Sequence, residues 1–186
     1  LKETTYRLLN SGGPDGEIGA SMRYLSQRFT APNRVCMAVL TDVATEELGH
    51  LEMVSTIVHQ LTANLTVEEI ENQGFADYYV DHAVGIWPQS AGGIPFNSCE
   101  FQSKGDPITD MFESMAAEQK ARSTYDNILR VVRDIPEIAD PIRFLRAREV
   151  VHFQRFGEAL QSLQDQLNSK NFYQMNPSFD IGLTRE

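Results

Sequence analysis

The feature that most constrains this chain is a repeated Glu-x-x-His, present as Glu47-Leu48-Gly49-His50 and as Glu149-Val150-Val151-His152. On an α-helix, residues three apart project from one face a single turn apart, so each pair offers a carboxylate and an imidazole to one cation. A single copy arises easily by chance in a chain rich in glutamate. Two copies, each preceded by a glutamate at matching distance, are far more specific. Glu17 stands 30 residues before Glu47, and Glu118 stands 31 before Glu149.

Apolar periodicity and stop signals place all six residues on helices. The first bundle helix is expected from about Pro14 to Phe29, closed by Thr30-Ala31-Pro32-Asn33, and the second from Arg34 to Leu61. The third starts at Asp106-Pro107, with Asp as N-cap and Pro at the first helical position, and runs to about Arg133. Asp134-Ile135-Pro136 makes a turn, and the fourth helix runs from about Glu137 to Leu167. A short amphipathic piece, Lys2 to Leu9, precedes the Gly12-Gly13 break, and the tail from Lys170 reads as extended. Between the second and third helices, Thr62 to Gly105 shows no long helical period and carries Trp87-Pro88, Gly92-Gly93 and Pro95. A connection of that length suits a crossover running along a bundle.

Folding each helix pair back at its turn brings the groups level. Glu17 and Glu47 each lie roughly 20 Å from the first turn, and Glu118 and His152 roughly 22 Å from the second, at 1.5 Å per residue. Two hairpins then unite a Glu from each of two helices with a Glu-x-x-His from each of the other two, the di-metal arrangement of ferritin-like bundles. Small and apolar neighbours (Gly19, Ala20 and Met22; Met115, Ala116 and Ala117) indicate burial. Carboxylates there are untenable unless paired or bound to metal. The expected fold is therefore all-α, one ferritin-like four-helix bundle domain over 1–186, with the bundle at 14–167, the crossover at 62–105 and a tail at 168–186.

Acidic residues outnumber basic ones by 26 to 16, a formal charge of −10. Nucleic acid and anionic membrane surfaces both draw affinity from Lys and Arg, so neither is an expected partner. No apolar stretch approaches the roughly 20 residues that span a bilayer, and no basic start precedes an apolar run, so no signal peptide is expected. Of the two cysteines, Cys36 lies in the apolar run Val35 to Leu40 and is expected as a buried free thiol. A thiolate metal site would need more cysteines, and an intracellular, reduced setting is expected.

The segments Gly12-Gly13-Pro14-Asp15-Gly16-Glu17, Arg23-Tyr24-Leu25-Ser26-Gln27-Arg28-Phe29 and Thr41 to Met53 resemble manganese catalases, which are non-haem enzymes. So do Ala116 to Arg122 and Phe144 to His152. The short length and the Lys104-Gly105-Asp106-Pro107 junction are most similar to the spore-coat, CotJC-type branch. The resemblance spans about Gly12 to Leu163. It implies two manganese ions, with iron as the alternative and no haem, held by Glu17, Glu47, His50, Glu118 and His152. Glu47 would bridge the ions. Glu149 would lie beside them as a catalytic acid and base, paired with Arg122, and Tyr24 would be a further residue around the ligands. Asp42 matches one acidic ligand of the calcium site found in some longer members, but Ala38 stands where another would be, so calcium is not expected.

The implied activity is disproportionation of hydrogen peroxide to water and dioxygen. Oxygen-rich donors with imidazole suit manganese or iron alike, so a di-iron oxidase or peroxidase is one alternative. A coat component with a vestigial site is the other. Family members form hexamers, and Phe96, Phe101, Phe172 and Tyr173 are expected to be covered in such an oligomer. The implied location is cytoplasmic, or the spore coat. His59, too far along its helix to join the site, and His82 are expected to be structural.

Overall fold

The computed structural model describes residues 13, 15–72, 90 and 94–169, with side chains described to 166. Lys2 to Leu9, Trp87, His82, the tail from Lys170, and Phe172 and Tyr173 within it lie outside the described residues. The helices are α1 (Glu17–Gln27), α2 (Arg34–Thr62), α3 (Val67–Asn72), α4 (Pro107–Val132) and α5 (Pro136–Ser169). All-α, ferritin-like architecture is what the sequence led us to expect, and it is what forms. The first helix is shorter at both ends than expected: it begins on Glu17 and stops at Gln27, leaving Phe29 in the turn with 81% of its surface exposed.

Local chemistry sets the ends. Asn33 caps α2 by accepting from the Cys36 N–H at 2.9 Å. Asp106 caps α4 by accepting from the Thr109 N–H at 2.8 Å, with Pro107 at the first helical position. Just ahead of that cap, the buried Asp110 carboxylate accepts from the backbone N–H of Lys104 at 2.7 Å and of Gly105 at 3.0 Å. Gly105 adopts φ +79°, a conformation L side chains rarely take. A Cβ there would meet Thr30 Cγ2 at an ordinary 3.8 Å, so it is the backbone, not the space, that calls for glycine.

The packing divides the bundle into two apolar layers. One contains Val54, Ile57, Val58, Tyr125, Ile128, Val132, Ile142 and Leu145. The other contains Ala20, Tyr24, Cys36, Leu40, Val43, Met111, Phe156 and Leu163. Between them stand Glu47 and His50 of α2, Glu118 of α4, and Glu149 and His152 of α5, all buried. Apolar side chains above and below exclude water from a polar midsection. Charge there must be neutralised from within.

Cys36 is buried and Cys99 exposed, and both are free thiols. His59 is exposed. Phe96 and Phe101 are half-buried, with ring centroids 5.9 Å apart.

Candidate metal centre

Each helix delivers its residues through simple geometry. Glu17 is the first residue of α1, where the partial positive charge of the helix N-terminus favours a carboxylate. α2 and α5 present Glu47 with His50 and Glu149 with His152, each pair one turn apart and all four buried. α4 presents Glu118 amid Ala117 and Ser114.

One donor atom from each of Glu47, His50, Glu149 and His152 lies within 4.8 Å of the others. The two imidazoles stack with centroids 5.4 Å apart and planes 20° apart. Each Glu47 oxygen meets one of them: Oε2 is 2.7 Å from His50 Nδ1, and Oε1 is 2.7 Å from His152 Nδ1. His152 Nδ1 is also 3.4 Å from Glu118 Oε2. Glu149, expected beside the metals and not on them, has Oε1 3.4 Å from His50 Nδ1 and so belongs to the same compact group. Glu17 and Glu118 face Glu47 closely enough for the carboxylates to repel one another.

The donor set fits a metal pair on its own geometry. Glu47 Oε1, Glu118 Oε2, Glu149 Oε1 and His152 Nδ1 are buried yet complete no hydrogen bond among the described residues. Four buried polar atoms in that condition would each cost about 1–3 kcal/mol. Glu47 Oε1 and Glu118 Oε2 lie 2.7 and 3.4 Å from His152 Nδ1, and Glu149 Oε1 lies 3.4 Å from His50 Nδ1, distances that bracket the roughly 3 Å between donors at right angles on an ion about 2.1 Å away. Short contacts without hydrogen-bond alignment are what atoms directed at shared cations produce.

Without cations, protons hold the cluster together. Burial pushes Glu17 well above the usual carboxylate range, helped by the charge of Glu47, and burial does the same to Glu149. Burial alone would lower the histidines, but Glu149 and Glu47 hold His50 at about 9, and Glu118 and Glu47 hold His152 at about 10. Burial works against the Glu47 carboxylate too, yet the adjacent His152 and His50 imidazoles bring it down to about 2.

Two features were missed in the sequence. The first is Glu46. Its Oε2 is 3.2 Å from His152 Nε2 and its Oε1 3.6 Å from His50 Nε2, so one carboxylate backs both imidazoles on the side away from Glu47. Arg148 grips both oxygens of Glu46, with Nη2 to Oε2 at 3.1 Å. The signal was available: Glu46 is four residues before His50 and Arg148 four before His152, opposite charges at the same offset in the two motifs. The second is Tyr125, whose hydroxyl donates to Glu17 Oε1. Tyr24 donates to Glu118 Oε1 and is fully buried.

The expected pairing of Arg122 with Glu149 is corrected. Arg122 is half-buried at the surface, where Nη1 meets Asp126 at 2.6 Å and Nε donates to Gln119 at 2.8 Å. A guanidinium one turn from a carboxylate on its own helix keeps its hydration, whereas a place beside Glu149 would strip it of water. Arg148 is the arginine coupled to the centre, through Glu46. Because such outer partners orient and tune ligating histidines, Glu46→Gln is expected to weaken manganese affinity about 10–100-fold. Competition with a metal indicator would measure this, and an unchanged affinity would show that the histidines need no such backing.

A four-helix bundle that gathers two Glu-x-x-His pairs and two further glutamates at one buried level is a ferritin-like protein with a candidate di-metal site. The family model for manganese-containing catalase matches residues 7–174, and the chain belongs to that family. It is 44% identical over 168 residues to protein CotJC of Bacillus subtilis strain 168, covering 90% of this chain and 88% of that one. It is 30% identical over 161 residues to a probable manganese catalase of Clostridium acetobutylicum, covering 87% and 71%. The crystal structure of KatB, a manganese catalase from Anabaena, superposes with a TM-score of 0.75 at 29% identity, over 87% of this chain and 72% of that one. Asp42, the residue matching a calcium ligand of longer members, pairs here with Arg155 at 2.6 Å. Among the described residues no helix is long and apolar enough to cross a membrane.

Proposed function

We propose that this chain is a manganese catalase, converting two molecules of hydrogen peroxide to two of water and one of dioxygen. The observation that carries the reading is the buried group of Glu47, His50, Glu149 and His152, whose donor atoms converge while Glu47 Oε1, Glu149 Oε1 and His152 Nδ1 complete no hydrogen bond among the described residues. Glu17, Glu47, His50, Glu118 and His152 would hold two manganese ions, with Glu47 between them because each of its oxygens faces a different histidine. A bound pair supplies two electrons by cycling between two Mn(II) and two Mn(III).

The chain's own residues handle the protons. Reducing one peroxide to two waters consumes two protons, and oxidising the second to dioxygen releases two. A carboxylate that can carry a proton at the site is therefore required. Environments that push two neighbouring carboxylates apart assign their roles. Glu47 is held as a permanent anion by the two imidazoles, while burial favours the protonated form of Glu149. Glu149 Oε1, beside His50, is the atom that takes and returns protons. The apolar layers on either side keep bulk water from competing.

Donor chemistry alone suits iron as well, and a di-iron oxidase or peroxidase would use the same residues. Protein from manganese-supplemented culture is expected to contain about two manganese per chain and to evolve dioxygen from peroxide without added reductant. Metal bound but no oxygen evolved, with turnover appearing only when a reductant is supplied, would replace catalase with peroxidase. No metal and no turnover would leave a coat component. The reading also includes self-association to a hexamer, and a location in the cytoplasm or a spore coat. Light scattering is expected to give a mass well above the 21.0 kDa chain.

A further inference from the structure

The two buried tyrosines form a crossed pair. Tyr24 lies seven residues after Glu17 on α1, and Tyr125 seven after Glu118 on α4. Seven residues are two helical turns, so each tyrosine shares a face with the glutamate of its own helix. Neither bonds that glutamate. The Tyr24 hydroxyl donates to Glu118 Oε1 and the Tyr125 hydroxyl to Glu17 Oε1, each bond passing between α1 and α4. Tyr24 packs in one apolar layer, its ring 4.8 Å from Phe156, and Tyr125 packs in the other among Ile128 and Leu145. The buried glutamates and histidines sit between those two layers.

From this geometry we infer that Tyr125, acting with Tyr24, is a positioning residue that ties one oxygen of each outer glutamate so that only its other oxygen can serve the metals. The inference rests on the di-metal reading above. Glu118 shows the result: Oε1 is held by Tyr24 while Oε2 faces His152 Nδ1 at 3.4 Å. Glu17 has Oε1 held in the same way by Tyr125. A carboxylate free to turn can engage one ion with both oxygens. That would fill a coordination position that peroxide needs. A phenol O–H fixed in a packed core holds that oxygen by a hydrogen bond and so prevents the turn. The crossing matters too. Each hydroxyl comes from the opposite helix, so shifting α1 along α4 would disturb both glutamates together.

Tyr125→Phe deletes the hydroxyl and keeps the ring in its layer. Manganese-loaded wild type, Tyr125→Phe and Tyr24→Phe would be compared for manganese content by elemental analysis and for azide binding by calorimetry, azide being a small anion that takes an open metal position. The expected result is two manganese per chain in all three proteins, with azide affinity lowered about tenfold or more in each variant. Ile128→Val, which loosens the same apolar layer without touching a hydroxyl, should leave azide affinity unchanged. Wild-type azide affinity in Tyr125→Phe would overturn the inference, as would loss of manganese from it, because the hydroxyl would then be holding the centre together and not limiting one ligand. An equal loss of azide affinity in Ile128→Val would also overturn it. Wild-type protein that takes up no manganese would instead remove the di-metal reading, and the inference with it.

Discussion

Replacing Glu47 with glutamine is expected to strip the centre of both metals, whereas replacing Glu149 with glutamine is expected to leave them bound and remove most of the oxygen evolution. Each Glu47 oxygen lies 2.7 Å from a different histidine nitrogen, the placement of a carboxylate shared by two cations. An amide carries no charge and presents only one oxygen, so it bridges two cations poorly. Apart from the metals, Glu47→Gln also leaves two imidazoles, held cationic at about 9 and about 10, without the anion they share. Removing one partner of a buried ion pair costs about 3–5 kcal/mol, so the apoprotein should be measurably less stable as well. Glu149→Gln differs because an amide at Oε1 can still meet His50 but cannot carry a proton. Manganese content and oxygen release on the two purified variants decide the matter. If Glu149→Gln loses metal as fully as Glu47→Gln, then Glu149 is itself a ligand. The site would then be a six-residue one of ferritin type, an outcome its 3.4 Å approach to His50 makes worth measuring.

The second large effect is opposite pH dependence in the metal-free and metal-loaded proteins. His50 and His152 have folded values of about 9 and about 10 against an ordinary 6.5. For groups raised on folding, the stabilisation is fully present below about 6.5 and is lost as pH climbs through 9 to 10. Glu17 and Glu149, also raised, act in the same direction, because the folded state keeps their protons longer than the unfolded chain does. Glu47, lowered to about 2, contributes in the other direction: its share is present above 4.5 and disappears on acidification toward 2. The apoprotein should therefore be most stable in mildly acidic solution and lose stability from about pH 6 to 9. Each displaced unit is worth about 1.4 kcal/mol, so the melting temperature should fall on the order of 10 °C. Manganese reverses the slope, since cations take the place of those protons and bind more tightly as pH rises. Adding manganese at pH 7 in weak buffer should release protons. A metal-free melting temperature that stays level or rises from pH 6 to 9 would show that the cluster is not held by protons.

Much of this was legible in the residues. The i, i+3 spacing of Glu47 with His50 and Glu149 with His152 fixes a shared face wherever a helix forms, and the matching offsets to Glu17 and Glu118 fix a shared level wherever two hairpins form. Those are consequences of helical rise and periodicity, which sequence carries directly. The caps were equally readable, since Asp106 and Pro107 act on their own helix within a turn. What sequence could not supply were contacts between side chains on different helices. Helix rotation and side-chain torsions settle those, and packing settles both. Arg122 looked like the partner of Glu149 because both lie near their glutamate and histidine in the chain. In three dimensions Asp126 on its own helix holds it at the surface, and Arg148 reaches the centre through Glu46. The crossed tyrosine bonds were hidden for the same reason: Tyr24 and Tyr125 each lie on the face of one glutamate and donate to the other. The sequence by itself determined which residues meet at one level of an α-helical bundle. Only the packed bundle decided which atoms face one another, because that depends on how four helices turn to bury two apolar layers around one charged midsection.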